Sequence, residues 1–136
     1  MTTLYIDTNI IIDAVEGRKN KFGKDIGNPA ADLFLEAISC KYNVIISSWT
    51  MYELSRHKTL EQTHILFLML EKKIIHIEHT EEDIKNAKSE SPEHFQDALH
   101  AILAIKSHAD CLVTRNTEDF VKFKEKVKIA KPEELF

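Results

Sequence analysis

No apolar run in this chain of 136 residues approaches the ~20 residues a membrane-spanning helix requires. The longest runs, around "HILFLML" and "IDTNIII", are interrupted well before that length, and the N-terminus lacks a basic region followed by an apolar one. Membrane insertion and secretion are therefore not expected, and the expected compartment is the cytoplasm. Cysteine is scarce: Cys40 and Cys111 stand alone among apolar neighbours, without metal-ligand spacing, and read as reduced core residues. Glycine is scarcer than usual and confined, since Gly17, Gly23 and Gly27 all fall in "GRKNKFGKDIGN", which marks one loop inside a domain rather than a linker between two. An excess of positive charge is missing too. Eighteen basic against 22 acidic side chains give a net charge of −4, which argues against strong non-specific nucleic-acid binding by the domain as a whole but leaves room for a local basic track.

The composition itself, 43% hydrophobic and 29% charged, is that of an ordinary globular chain, and the length suits a single domain over residues 1–136. Short apolar runs rich in β-branched residues predict strands at 3–7, 43–47, 74–77 and 111–114. Helical patterns lie between them: a short one after Asp7, then 29–40 with Asn28 as N-cap and Pro29 at the first helical position, then 50–72, 81–89 and 92–108. Near-continuous apolar strands alternating with amphipathic helices indicate an α/β fold, a parallel central sheet covered on both faces in three layers. The tail "VKFKEKVKIAK" reads as a helix end followed by an edge strand guarded by lysines, with a basic substrate track as the alternative.

In such a sheet the functional crevice lies outside the carboxyl ends of the strands. Asp7 closes the first strand, in "TLYIDTNIII", where an apolar residue would have suited the pattern better. Glu53 lies in "SSWTMYELSR", where Ser48 or Thr50 can cap a helix and place Glu53 in its first turn. Asn116 and Asp119 follow "CLVT" directly, in "TRNTEDF". Asp97 lies in "SPEHFQDALHAILAIKSHAD"; with Ser91 as cap and Pro92 as first residue it falls in the second turn of a helix, on a face that looks largely inward. Taken alone, Glu53 reads equally as a residue complementing a helix dipole and Asp119 as part of a cap. Asp7 and Asp97 do not, because both sit in apolar surroundings with no adjacent lysine or arginine.

Two unit charges 4 Å apart repel by ~4 kcal/mol at an effective dielectric of 20, so converging carboxylates need protons or a cation among them. Hard oxygen ligands without a cysteine set select Mg²⁺ or Mn²⁺. His94 and His100, six apart on a helix, would point about 240° from one another, so both cannot face one ion with Asp97. Arg115 could hold a phosphate or form a simple ion pair.

The pieces "YIDTNIIIDA", "SSWTMYELSR" and "FQDALHAILAIKSHADCLVTRNTEDF", with a C-terminal strand, in this order and over nearly the whole chain, resemble a PIN domain, and more narrowly a VapC-type toxin ribonuclease. The resemblance implies a three-layer α/β/α nuclease that cleaves RNA with Mg²⁺ or Mn²⁺ held by Asp7 and Asp97, assisted by Glu53. It implies that Thr8 or Asn9 orients the first acid or contacts substrate, and it implies a homodimer silenced by a cognate antitoxin. Many relatives carry an acid where this chain has Asn116, which leaves Asp119 as the candidate fourth carboxylate. The segment 50–72 carries more apolar residues than one buried face needs, as an oligomer surface or a well-buried helix would. Two other readings fit parts of the pattern: a catalytically silent PIN-like RNA- or protein-binding scaffold, and a receiver-type phosphoryl-transfer protein. The latter wants a second acid beside Asp7 and a lysine after a late strand, which "DTN" and "TRN" do not supply.

Overall fold

The structure is a computed structural model and describes residues 2–17, 27–39, 41–57 and 60–135. The strands β1 (Thr2–Ile6), β2 (Tyr42–Ser47), β3 (Ile74–Ile77), β4 (Cys111–Val113) and β5 (Lys128–Ala130) form one sheet in the order β3-β2-β1-β4-β5, every neighbouring pair parallel. Parallel pairing follows from the connections, because each strand is left through helical segments that carry the chain back to the starting edge. These are α1 (Thr8–Glu16), α2 (Gly27–Ile38), α3 (Ser48–Ser55), α4 (Leu60–Met69), α5 (Glu81–Glu90) and α6 (Phe95–Lys106), with a 3₁₀ helix at Thr117–Phe123 between β4 and β5.

The strands are apolar on both faces, and their alternation builds two cores. Leu4, Ile6, Val44, Ile46 and Val113 pack on one face with α1 and α2, while Tyr5, Ile45 and Leu112 pack on the other with α5, α6 and Phe120. Each fully buried Ile or Leu contributes roughly 1.5–3 kcal/mol, so the central strands are held from both sides. The three-layer α/β/α arrangement expected from the sequence is the one observed. The tail forms the 3₁₀ helix and then the edge strand β5, with Lys128 exposed.

Helix boundaries depart from expectation in four places. Helix α2 starts at Gly27, so Asn28 and Pro29 fall inside its first turn. The predicted helix 50–72 is two helices: α3 is closed by Arg56, whose N–H donates to the Glu53 carbonyl, and α4 begins at Leu60. The polar stretch "SRHKT" between them offers the core no apolar residue, so packing does not sustain one continuous helix. Helix α6 begins at Phe95, three residues later than predicted, because Ser91 ends α5 instead of starting α6: its N–H donates to the Ala87 carbonyl at 2.9 Å. Pro92 disfavours a helical conformation for the residue before it, which fits Ser91 at φ −150°, ψ 85°. Finally, α3 is capped by Ser47, whose hydroxyl accepts from the Thr50 N–H, and Glu53 therefore lies in the second turn.

Cys111 is a buried free thiol whose pKa burial pushes up to about 11; Cys40, like Gly23, lies outside the described residues. No helix among the described residues is long and apolar enough to cross a membrane. Ile65, Leu68 and Met69 of α4 are exposed, together with Leu35 and Ile75.

Candidate active site

The chain leaves β1 toward β2 on one side and enters β4 on the other, so the carboxyl ends of these two central strands form the switch point of the sheet, where an open α/β fold keeps its crevice. Asp7 stands there, between β1 and α1, with its N–H donating to the Val113 carbonyl at the end of β4. Only 4% of Asp7 is exposed. Its Oδ2 accepts from Thr114 Oγ1 at 2.8 Å, so the residue that follows β4 fixes the rotamer of the residue that follows β1. Burial pushes the Asp7 carboxyl above its ordinary range, and the nearby Glu53 charge adds to this; His100 and the Thr114 bond pull the other way without cancelling it.

Asp97 arrives from the opposite layer, in the first turn of α6. Half-buried, it is raised by desolvation and then by the charges of Asp7 and Asp119; the groups that act on it are charges rather than hydrogen-bond donors. Asp119 lies in the first turn of the 3₁₀ helix and shares with Asp97, His94 and Lys122 a cavity of about 180 Å³. Asn116 is the exposed N-cap of that turn, and its backbone N–H donates to Thr114 Oγ1. Two of the carboxylates predicted from the sequence, Asp7 and Asp119, are thus near enough to the third, Asp97, for their charges to raise it.

Glu53 is held differently. Its Oε1 accepts from Thr8 Oγ1 at 2.7 Å and lies 2.7 Å from His100 Nε2. Burial alone would raise Glu53, but the two bonds and the His100 charge outweigh it and the carboxyl is lowered. Thr8 therefore orients Glu53, while Thr114 is the residue that orients Asp7. Asn9 is exposed. Arg115 donates from Nη1 to both carboxylate oxygens of Glu133, an ion pair across the site's edge; its Nε and Nη2 are buried without a hydrogen-bond partner.

The residue that sequence reasoning discounted is His100. It is 2% exposed and sits at the junction of the whole assembly: Nδ1 lies 2.7 Å from the Tyr5 hydroxyl, and Nε2 lies near Glu53, Thr8 and, at 3.8 Å, Asp7 Oδ1. Tyr5 in turn donates to Ser47, the cap of α3, so a continuous polar chain runs from Asp7 and Glu53 through the core to the start of the helix that carries Glu53. Desolvation would lower the imidazole, yet Tyr5, the Glu53 bond and the carboxylate charges hold its pKa well above the ordinary value. The helical-wheel angle between the two histidines does not apply, because His94 is the N-cap and not part of the helix. What could have revealed His100 is its place three residues after Asp97, on the same helical face, among the small residues Ala98, Ala101 and Ala104.

Among the described residues no three His, Cys, Asp or Glu side chains stand close enough together to form a ready metal cage. The donor set nevertheless fits a hard cation. Mg²⁺ keeps several of its waters and is commonly held by one or two carboxylates, and Asp7 raises Asp97 by its charge, an effect that His100 and His94 offset only in part.

The sequence matches the PIN domain family over residues 3–118. No curated protein matches it significantly. Among solved structures it is similar to a chain of VapBC2 from Rickettsia felis, solved bound to a DNA fragment from their promoter, at 21% identity and a TM-score of 0.56, covering 94% of this chain and 97% of that one. It is also similar to a chain of VapBC-1 from nontypeable Haemophilus influenzae, at 17% identity and a TM-score of 0.58, covering 97% and 99%. At these identities the likeness shows the fold alone, which agrees with the parallel sheet; the family match spans most of the sequence, and the chain belongs to the PIN domain family.

Proposed function

We propose that the chain is a divalent-metal-dependent endoribonuclease, acting in the cytoplasm as the toxin of a VapC-type toxin–antitoxin pair. The observation that carries this reading is the approach of Asp97 to Asp7 and Asp119 at the switch point, where the carboxyl of Asp97 is raised first by desolvation and then by those two charges. A fold gains nothing from pressing like charges together, so the arrangement points to a cation that offsets them.

Asp7 and Asp97 are the residues that would hold Mg²⁺ or Mn²⁺, with Asp119 or Asn116 completing the shell. When bound, the ion would lower the pKa of a coordinated water and offset charge on the scissile phosphate. Thr114 fixes the Asp7 carboxylate through Oδ2. Glu53 receives its two bonds on Oε1, so Oε2 carries neither and is the oxygen that can orient the attacking water. Its lowered pKa makes it a poor proton acceptor, since a general base is most effective near the working pH; positioning is the role it suits. Thr8 serves the reaction through Glu53, and exposed Asn9 is left for substrate. Arg115 can address a phosphate only by releasing Glu133, because Nη1 is committed to that carboxylate and Nε and Nη2 are buried.

The exposed apolar side chains of α4 would be covered in a homodimer, and the acidic crevice by a segment of the antitoxin. A silent RNA- or protein-binding scaffold would gain stability from the bonds to Glu53 but would have no use for the charges of Asp7 and Asp119 beside Asp97.

The purified chain, freed of any co-purifying partner, should cut single-stranded RNA with Mg²⁺ or Mn²⁺ and stop when EDTA is added. Metal should also raise its melting temperature, because an ion that binds only the folded state shifts the equilibrium. Asp119→Ala should weaken cleavage clearly but less than Asp97→Ala, and Asn116→Asp should tighten Mn²⁺ by adding a charge. RNA left intact in both metals, or cleavage that survives thorough chelation, would remove the reading; a silent Asp119→Ala would reduce the site to Asp7, Asp97 and Glu53.

A further inference from the structure

Beside Glu53 lies a second cavity, of about 350 Å³, lined by Trp49, Tyr52, Glu53, Arg56, Phe95 and Gln96. It is separated from the Asp97–Asp119 cavity by the first turn of α6, which contributes Phe95 and Gln96 to one and Asp97 to the other. Three of its lining residues, Trp49, Tyr52 and Phe95, are aromatic, against Phe123 and His94 in the other cavity. The Trp49 ring centroid is 5.0 Å from that of Tyr52 at an angle of 33°, and 5.8 Å from that of Phe95. Tyr52 is 44% exposed, so part of its ring is open to solvent. Arg56 donates from Nη1 to the Tyr52 hydroxyl at 2.9 Å and holds its guanidinium near that ring, while Lys88 stands over Phe95 at 5.1 Å. Two cations thus flank an aromatic wall in a protein whose net charge is −4.

From this we infer that the Trp49–Tyr52–Phe95 wall is a stacking subsite for one unpaired nucleobase of the RNA, next to the phosphate that is cut. The inference rests on the nuclease reading and specifies how that site takes its substrate. Every base has a π-face, so rings accept bases without regard to sequence, and single-stranded RNA is recognised chiefly by splayed bases on aromatic and arginine planes. Arg56 and Lys88 supply positive charge where the backbone phosphates would pass, and Glu53, one residue after Tyr52, ties the subsite to the reacting phosphate. The cavity lies at the low end of the ~300–1,000 Å³ range of small-ligand pockets, a size for one base rather than a folded partner.

Trp49 is the sole tryptophan in the chain, so emission excited selectively in tryptophan reads this subsite alone. A short end-labelled single-stranded RNA is titrated into the Asp97→Asn protein, which keeps the RNA whole, and both anisotropy and Trp49 emission are followed; cleavage by otherwise wild-type protein is measured in parallel. Binding should quench Trp49. Tyr52→Ala should weaken affinity between about 5-fold and 150-fold, the range spanned by stacking one base, and Tyr52→Phe, which loses only the hydroxyl, should lose much less. An abasic position walked along the RNA should reproduce the Tyr52→Ala loss at one place, and the two changes together should not add, because both remove the same contact. RNA that is bound and cut while Trp49 emission and Tyr52→Ala affinity stay unchanged would overturn the subsite and leave the nuclease reading standing. RNA neither bound nor cut would overturn that reading and the subsite with it.

Discussion

Asp97→Asn should abolish RNA cleavage while leaving the metal-free protein at least as stable as wild type at neutral pH. Removing a partner that only orients a metal ligand typically costs about 10–100-fold, so loss of a direct ligand should exceed about 100-fold in rate. The stability half of the expectation follows from the raised carboxyl of Asp97, whose causes are desolvation and the charges of Asp7 and Asp119. A group whose folded pKa is raised contributes stability that is present below its unfolded pKa and is lost as pH rises through the folded one. At neutral pH the ionised Asp97 is therefore a cost, and a neutral amide of the same shape removes it. The advantage of the variant should shrink as pH falls into the carboxylate range, where Asp97 takes up its own proton. Thermal melts in EDTA across that range, beside cleavage assays in Mg²⁺ and Mn²⁺, test both halves. A variant that cleaves near the wild-type rate would show that Asp97 is not a ligand; one that is less stable at neutral pH would show that its charge is matched by a donor.

The two carboxylates were legible because a charge in an apolar pattern contradicts the pattern. Asp7 interrupts a strand-to-helix apolar run, and Asp97 sits among Ala98, Leu99 and Ala101, which face the sheet. The layers were legible for the related reason that strands apolar on both faces need cover on both. Helix boundaries were harder: Ser91 followed by Pro92 looks the same in sequence whether the serine starts the next helix or ends the last one, and only the N–H given to Ala87 decides. The connections between the acids were not legible at all. That Thr8 binds Glu53 and Thr114 binds Asp7 depends on β1 having β2 on one side and β4 on the other, a strand order no local pattern encodes. His100 was hidden by the same gap, since its partners Tyr5 and Glu53 are 95 and 47 residues away.

Replacing His100 should then disturb stability and reaction together, although it is no metal ligand in this arrangement. Its ring fills a fully buried site between Tyr5 and Glu53 and bonds at both nitrogens. His100→Ala leaves a cavity and takes one partner from each neighbour; an unsatisfied buried polar group costs about 1–3 kcal/mol before the lost packing is counted, so a total of about 3 kcal/mol or more is expected from urea unfolding. His100→Gln can reach one neighbour but not both and should fall between. The same series separates positioning from bulk. If His100 acts by holding Glu53, the rate of the bound complex should drop about 10–100-fold, as for other residues that orient a functional group, while KM changes little. The pH dependence provides an independent sign. Because the folded pKa of His100 is raised, its contribution to stability is complete below the ordinary histidine pKa and is lost as pH rises through the folded one. Wild type should accordingly lose stability from neutral into alkaline pH, and His100→Gln should not show that loss. A His100→Gln protein with an unchanged rate and the same alkaline decline as wild type would mean that the imidazole only fills space, and that Thr8 alone suffices to hold Glu53.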